Sequence, residues 1–532
     1  MYTNRIGAMF RIYMLIPLLV CFCKVEGQGG QKPNIVYILA DDLGIGDVSG
    51  LNPESKIRTP HIDTLIKNGL TFTDAHTTSS VCTPSRYSIM TGEYAWRTQL
   101  KRRVLDGYSK AMIAPDKDTA PKLLLRNGYN TAMIGKWHLG WNWVIENEGD
   151  LERDPQVPYK FKEDISSHVS YSKPFTGGPV DCGFNYFFGL NASLDFPPYV
   201  FSENDRLITE PTETMPSRGK RSDFPGGKKN DLEGGQLLMR SGDKATNFTV
   251  KDVMPELTAR SVQYIREYNS KAPFFLYIPL TAPHTPVVPG EIFIGSSEAG
   301  IYGDFVSELD WTVGQIVDAV KERGLEDNTI IIFTADNGAS KASFPIEYEK
   351  KYGHKPSWEL RGRKATLHQG GHTVPFIVQW KRVIQPNTRN NTTISLGDLY
   401  ATCADLVNER TDPNQGVDSY SILSLLKGKQ DYGRKASVYS NFAGRFSIRK
   451  GDWKMDLNEK KGQSYLFNIK EDPSEKNNLF YNASFDHIRE MLAKALNDII
   501  LNGRSTDGKK LDNQGDKIWR ELFWLKPQKQ QP

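Results

Sequence analysis

Four apolar runs along this chain break off abruptly into polar residues. Asn34-Ile-Val-Tyr-Ile-Leu-Ala40 ends at Asp41-Asp42, and Asn130-Thr-Ala-Met-Ile134 ends at Gly135-Lys136-Trp137-His138. Pro273 to Leu280 leads to Pro283-His284, and Thr329-Ile-Ile-Ile-Phe-Thr-Ala335 leads to Asp336-Asn337. None of these runs alternates, and all are rich in β-branched or aromatic residues, the pattern of strands buried on both faces. Helical spacing lies between them, over Thr59 to Gly69, Thr119 to Gly128 and Phe305 to Gly324. Strand–helix alternation predicts an α/β fold, a mostly parallel sheet flanked by helices. In such a sheet the ligand site lies beyond the carboxyl ends of the strands. The polar residues after all four runs are therefore expected at one shared site.

From about Ser202 to Asn247 the chain is rich in Gly, Lys, Ser and Asp and has no period. It reads as a long surface insertion, a flap beside the site. Within it, Arg218-Gly219-Lys220-Arg221 has the form of a convertase processing site, although an ordinary basic surface loop or part of an anionic-substrate rim is the default reading. After about Tyr420 the pattern changes. Arg445 to Met455 predicts a hairpin turning at Lys450-Gly451-Asp452, Ser464 to Ile469 another strand, and Phe485 to Leu501 a helix. The resulting division is a large domain over residues 28–419, a smaller C-terminal α+β domain over 420–503, and a polar tail over 504–532. Trp519, Phe523 and Trp524 are expected to dock the tail.

Composition narrows the class. The 532 residues are 38% hydrophobic with a mean hydropathy of −0.50, as in a soluble globular protein. Arg5 and Arg11, the apolar run Ile12 to Cys23 and small residues near Gly27 read as a signal peptide over residues 1–27, too short to serve as a membrane anchor. The chain is therefore expected in the secretory pathway, secreted or lysosomal. Sequons at Asn191, Asn247, Asn390, Asn391 and Asn482 are glycosylation candidates there. Cys182 and Cys403 either pair or stay as buried thiols. With 67 basic against 63 acidic residues, the net charge of +4 excludes a nucleic-acid binder. Oligomeric state is not legible.

The candidate chemistry starts at Cys82-Thr83-Pro84-Ser85-Arg86, which has little reason to exist as packing, because Arg is a poor core residue. Asp41-Asp42 alone reads as a solvated turn or a metal pair, and Asp336-Asn337-Gly338 has the same ambiguity. Together they offer an all-oxygen set that suits Ca²⁺, with Mg²⁺ possible, and disfavours zinc. Any one of the nine histidines is by default a satisfied structural group.

Cys82-Thr-Pro-Ser-Arg86 resembles the signature of the formylglycine-dependent sulfatases, in which the cysteine is oxidised to an aldehyde. Asp41 to Asp47 is similar to the family's first metal motif, Asp336-Asn337 to its second ligand pair, and Gly135-Lys-Trp-His-Leu-Gly140 to its second signature. Gly362-Arg-Lys364 before Gly370-Gly371 resembles the segment carrying the sulfate-binding lysine, although Gln369 stands where the family usually has Glu. The likeness extends loosely to Gly451-Asp-Trp-Lys454 and Glu471-Asp-Pro473, and is strongest toward arylsulfatases and N-acetylgalactosamine sulfatases.

The resemblance implies an alkaline-phosphatase-like fold and sulfate-ester hydrolysis, of aryl sulfates or sulfated glycans. It implies a formylglycine-generating enzyme as maturation partner, and metal ligands Asp41, Asp42, Cys82, Asp336 and Asn337. The hydrated aldehyde at Cys82 would attack sulfur. His284 would protonate the departing oxygen, His138 would deprotonate the second hydroxyl, Lys136 and Lys364 would bind sulfate, and Arg86 would hold the hydrate and the carboxylates. Asp47 reads as structural. Rival readings are a phosphomonoester or phosphonate hydrolase with the same groups, and a non-catalytic glycan-binding protein on this fold.

Overall fold

The computed structural model describes residues 1–2, 31–217, 238–457, 463–516 and 518–525. The signal segment and the Arg218–Arg221 motif lie outside the described residues.

All four apolar runs are strands of one ten-stranded sheet. Its centre is parallel: Thr329–Ala335, Asn34–Ala40, Phe274–Pro279, Asn130–Lys136 and Tyr186–Leu190, side by side in that order. Val36, Ile38 and Leu39 are fully buried, as a strand covered on both faces requires. Beyond Thr329–Ala335 the sheet turns antiparallel through Phe376–Gln379 to Leu70–Phe72, which pairs in parallel with Thr388–Asn390. These three short strands carry too little pattern to be read from sequence.

The predicted helices form at Pro60–Asn68, Ala120–Arg126 and Gly300–Glu322, the last starting five residues earlier than its pattern. Thr119 caps the second of these, its Oγ1 accepting the Lys122 N–H at 3.2 Å. The face of the sheet bearing Ile35, Tyr37, Ile330 and Ile332 packs against the Leu399–Leu406 helix.

The segment after Ser202 is more structured than its composition suggests. Ser202–Glu203 and Arg206–Leu207 extend the central sheet, and Pro211–Met215 pairs antiparallel with Gly242–Ala245. Strands this short, with mixed polarity, leave no detectable period.

Near the C-terminus, Ser437–Ser440, Phe446–Lys450, Trp453–Leu457 and Ser464–Asn468 make a four-stranded antiparallel sheet, with the Asp486–Leu501 helix against it. Its apolar core includes Phe446, Ile448, Leu466, Leu492 and Leu496, together with Tyr94 and Trp96 from the large domain. Ile422, Leu423, Leu425 and Leu426 belong instead to the large core, so the change of core falls nearer residue 436 than 420. Trp519 and Trp524 of the tail lie 6.2 and 6.3 Å from Phe446, whereas Phe523 stays half exposed. No helix among the described residues is long and apolar enough to cross a membrane.

Candidate active site

The five parallel strands end at one edge, and the chemistry-bearing residues follow those ends. Ala40 sits opposite Ala335 in the register, so Asp41-Asp42 and Asp336-Asn337 emerge side by side. Asp42 adopts a left-handed φ of 67°, an uncommon conformation for a non-glycine residue. Its N–H donates to Asp336 Oδ1 at 3.1 Å, and Asn337 Nδ2 donates to Asp42 Oδ1 at 2.6 Å. The next residue must be Gly338, because a Cβ there would lie 2.0 Å from the Gly370 carbonyl oxygen.

Cys82 opens the buried helix Cys82–Thr91, whose first turn tolerates Pro84. The thiol lies at the positive end of that helix. It sits 3.7 and 3.9 Å from Asp41 Oδ1 and Asp42 Oδ1, and 3.4 Å from Lys364 Nζ. Burial pushes the thiol pKa up, against the pull of Lys136 and Lys364. Arg86, four residues on and thus on the same helix side, donates through Nε to Asp336 Oδ2 at 2.9 Å and through Nη1 to the Lys136 carbonyl at 2.8 Å. Lys136 Nζ lies 2.6 Å from Asp41 Oδ2, and Lys364 Nζ 2.6 Å from Asp42 Oδ1. Burial opposes the charge on Lys364, but Asp42, Cys82, Asp41 and Asp336 together outweigh it and raise the ammonium pKa. For Asp41, burial is likewise outweighed, by Lys136, His284 and Arg86, and its pKa is lowered.

The two histidines are held in different ways. His284 Nδ1 lies 2.6 Å from the Thr285 carbonyl, so this nitrogen carries the proton and Nε2 faces Asp42 Oδ2 at 3.7 Å. His138 Nε2 lies 3.0 Å from the Leu105 carbonyl, which leaves Nδ1 as an acceptor, 3.5 Å from Ser193 Oγ. Burial, with Lys136 and Arg86 nearby, holds the His138 pKa well below the usual imidazole value, so the ring is neutral. A cavity of about 360 Å³ opens over these groups, lined by Cys82, His138, His284 and Lys364.

Further residues on that cavity were not anticipated, among them Ser193, Asp195 and Arg240. The first two follow the fifth parallel strand, Tyr186–Leu190, so the strand-end rule that located the other residues would also have located them. Arg240 lies in the aperiodic insertion, where no sequence signal marks it. Asn191, at the same strand end, is 3% exposed and its Nδ2 donates to the Gly107 carbonyl at 2.5 Å. A buried, bonded amide cannot carry a glycan, so that sequon is corrected to an interior residue. Asn247, Asn391 and Asn482 are exposed and Asn390 is half-buried. Cys182 and Cys403 are separate free thiols, each pushed up to about 12 by burial. Asp47 binds Gly44 N–H, Tyr302 Oη and His354 Nε2, a structural set.

The loop bearing Lys364 is tied down from the C-terminal sheet. Lys454 Nζ donates to the Leu367 carbonyl at 2.8 Å and pairs with Asp456 at 2.7 Å and Glu475 at 2.6 Å. Glu475 also accepts the Gln369 N–H at 2.8 Å, and its carbonyl accepts from Arg361 Nη1 at 2.9 Å. His368 Nδ1 lies 3.3 Å from both Asp456 and Glu475. The single Lys454 ammonium balances one of the two carboxylates, and His368 faces both. Gln369, at the position where a Glu was expected, is buried with Oε1 unbonded.

The residues at the strand edge fit a hard divalent cation. Asp41 and Asp42 offer oxygens within 4.8 Å of Cys82 Sγ and a His284 nitrogen. Asn337 Oδ1 is buried among them with no hydrogen-bond partner, as an amide oxygen reserved for a ligand would be. Asp336 is completely buried and bridges Arg86 and the Asp42 N–H.

Comparison with known proteins agrees with this geometry. The Sulfatase family profile matches residues 33–409, and a profile for the N-sulphoglucosamine sulphohydrolase C-terminal region matches residues 363–502. An N-acetylgalactosamine-6-O-sulfatase of Bacteroides thetaiotaomicron is 33% identical over 88% of this chain and 96% of that protein. Human steryl-sulfatase is 30% identical over 78% of this chain and 73% of its own. Among solved structures, a sulfatase from a B. thetaiotaomicron locus for glycosaminoglycan metabolism superposes with a TM-score of 0.74 at 30% identity, covering 88% of this chain and 99% of that one. Ps i-CgsB in complex with a neocarrahexaose gives a TM-score of 0.65 at 25% identity, covering 90% and 95%.

Proposed function

Because the chain belongs to the sulfatase family and is a sulfuric ester hydrolase, we propose that it acts through formylglycine at residue 82 with one oxygen-ligated divalent cation, most simply Ca²⁺. The observation that carries the reading is the placement of Cys82 at a helix start between Lys136 and Lys364 and over Asp41, Asp42 and Asp336. Oxidised Cys82 would supply a hydrated aldehyde as nucleophile. Held by Asp41, Asp42, Asp336 and Asn337, the cation would supply Lewis-acid charge beside it.

The chain's own groups do the rest. Lys136 and Lys364 present preorganised positive charge to the sulfate oxygens. His284, oriented by the Thr285 carbonyl, directs Nε2 toward the reacting groups; in its doubly protonated imidazolium form it can pass the Nε2 proton to the departing alcohol oxygen. His138, kept neutral by its surroundings, offers Nδ1 as a proton acceptor. Arg86 anchors Asp336 and the Lys136 backbone so that the edge keeps its shape. Secretory-pathway residence belongs to the same proposal, since Cys82 must meet a formylglycine-generating enzyme there.

Mass spectrometry of the peptide containing residue 82 tests the modification: the thiol should be replaced by an aldehyde in active protein. Active protein carrying only free cysteine at that position would overturn the mechanism. Elemental analysis should find one Ca²⁺ or Mg²⁺ per chain, lost in Asp41→Ala, and stoichiometric zinc would contradict the oxygen-ligand argument. Sulfate esters should be turned over in preference to phosphate esters.

A further inference from the structure

We infer that Asp195 and Arg240 form the subsite for the alcohol half of the substrate, and that this half is a sugar carrying a free hydroxyl beside the sulfated position. The inference rests on the sulfatase reading above and deepens it. Asp195 is 4% exposed and lines the cavity that contains Cys82, His138 and His284. One carboxylate oxygen, Oδ2, accepts from Arg240 Nη1 at 2.5 Å. The other, Oδ1, is buried and has no hydrogen-bond partner. A buried anionic oxygen without a partner is costly unless a ligand completes it, and Asp195 is a wall residue of the cavity.

Arg240 is pinned beside it. Its N–H and Nη1 both donate to the Asp195 carbonyl, at 3.2 and 3.0 Å, and its guanidinium carbon lies 3.9 Å from the centre of the Phe196 ring. The side chain is nevertheless 46% exposed. Among the described residues, its Nε and Nη2 donate to no protein acceptor. The pair therefore presents one acceptor oxygen and adjacent planar donors, both held in place.

That arrangement complements a hydroxyl that donates to Asp195 and a neighbouring oxygen that accepts from Arg240. Adjacent oxygens of this kind are what a sugar ring offers next to a sulfate ester. A plain aryl or sterol sulfate offers no donor there and leaves Asp195 Oδ1 buried and unpaired. Sites built around a substrate hydroxyl discriminate strongly against partners that lack it.

The test compares kcat/KM for N-acetylgalactosamine 6-sulfate and 4-nitrophenyl sulfate. Losing a hydrogen bond to a charged group should cost about 10–100-fold. Asp195→Ala should lose about that much on the sugar sulfate and change by less than about 3-fold on the aryl sulfate. Arg240→Ala should move the ratio in the same direction, and the double variant should lose less than the product of the two singles. The aryl rate also reports whether each variant is folded. If Asp195→Ala does not fold, Asp195→Asn, which keeps the volume, is read by the same ratio. Equal losses on both substrates, or an undiminished rate on the sugar, would overturn the subsite while leaving the sulfatase reading intact. A mature wild-type protein inactive on both sulfates would overturn the two together.

Discussion

Two buried histidines are each held by one hydrogen bond, and the bonds engage different ring nitrogens. Thr285 takes the Nδ1 proton of His284 and Leu105 takes the Nε2 proton of His138, so different ring nitrogens are left for chemistry. Positioned acid–base groups contribute about 10²–10⁴-fold. His138→Ala should lose an amount in that range on every substrate. His284→Ala should lose it on esters of poor leaving groups but little on activated aryl sulfates, whose departing oxygen needs no proton. Steady-state rates across a leaving-group series check this, and a flat loss for His284→Ala would remove it from the acid role.

Individual elements carry strains of their own, and the Gly300–Glu322 helix is the clearest case. It buries Glu308, which accepts the Gly290 N–H at 2.8 Å, and Asp310, which accepts the Ile62 N–H at 2.8 Å. Burial raises the Glu308 pKa to about 7. The folded state therefore holds a proton that the unfolded chain releases near pH 4.5. Stability from this residue is present at low pH and is lost as pH rises from the unfolded value to about 7. Glu308→Gln removes the charge and keeps an acceptor for Gly290. It should leave stability unchanged near pH 4 and raise it by about 1–3 kcal/mol at pH 8, measured by thermal unfolding at both pH values.

Across the molecule, the C-terminal sheet is part of the active-site architecture. Lys454, Asp456 and Glu475 reach across to the backbone of the loop that carries Lys364. Lys454→Met would strand two buried carboxylates, and breaking a buried pair in this way typically costs about 3–5 kcal/mol. His368 adds a pH-dependent contact. Burial opposes its charge, but Asp456 and Glu475 outweigh burial and raise its pKa above 6.5. Its contribution is full below the unfolded value and is lost as pH rises through the folded one. Thermal unfolding should therefore show wild type losing more stability than His368→Gln between pH 6 and pH 9. Parallel curves would show that the contact carries no net energy.

Much of this architecture was written along the chain. The four apolar runs favour strands buried on both faces, because they are short, non-alternating and rich in β-branched or aromatic residues. Once those strands are parallel, Asp41, Asp42, Lys136, His138, His284, Asp336 and Asn337 must share an edge, and they do. The hairpin at Lys450–Asp452 and the helix to Leu501 were legible for the same reason, a local period matched to a local structure.

What depended on the tertiary structure was everything set by contacts between distant segments. The short antiparallel strands at Leu70–Phe72 and Phe376–Gln379 draw their stability from neighbours rather than from pattern. Asn191 looks like an ordinary surface sequon until the fifth strand carries it inside. Arg240 has no meaning in its own stretch of sequence and acquires one only where it meets Asp195, 45 residues away. Likewise, only the folded chain brings Lys454 to the Lys364 loop, because ion pairing acts over a few ångströms of space and leaves no trace in sequence spacing.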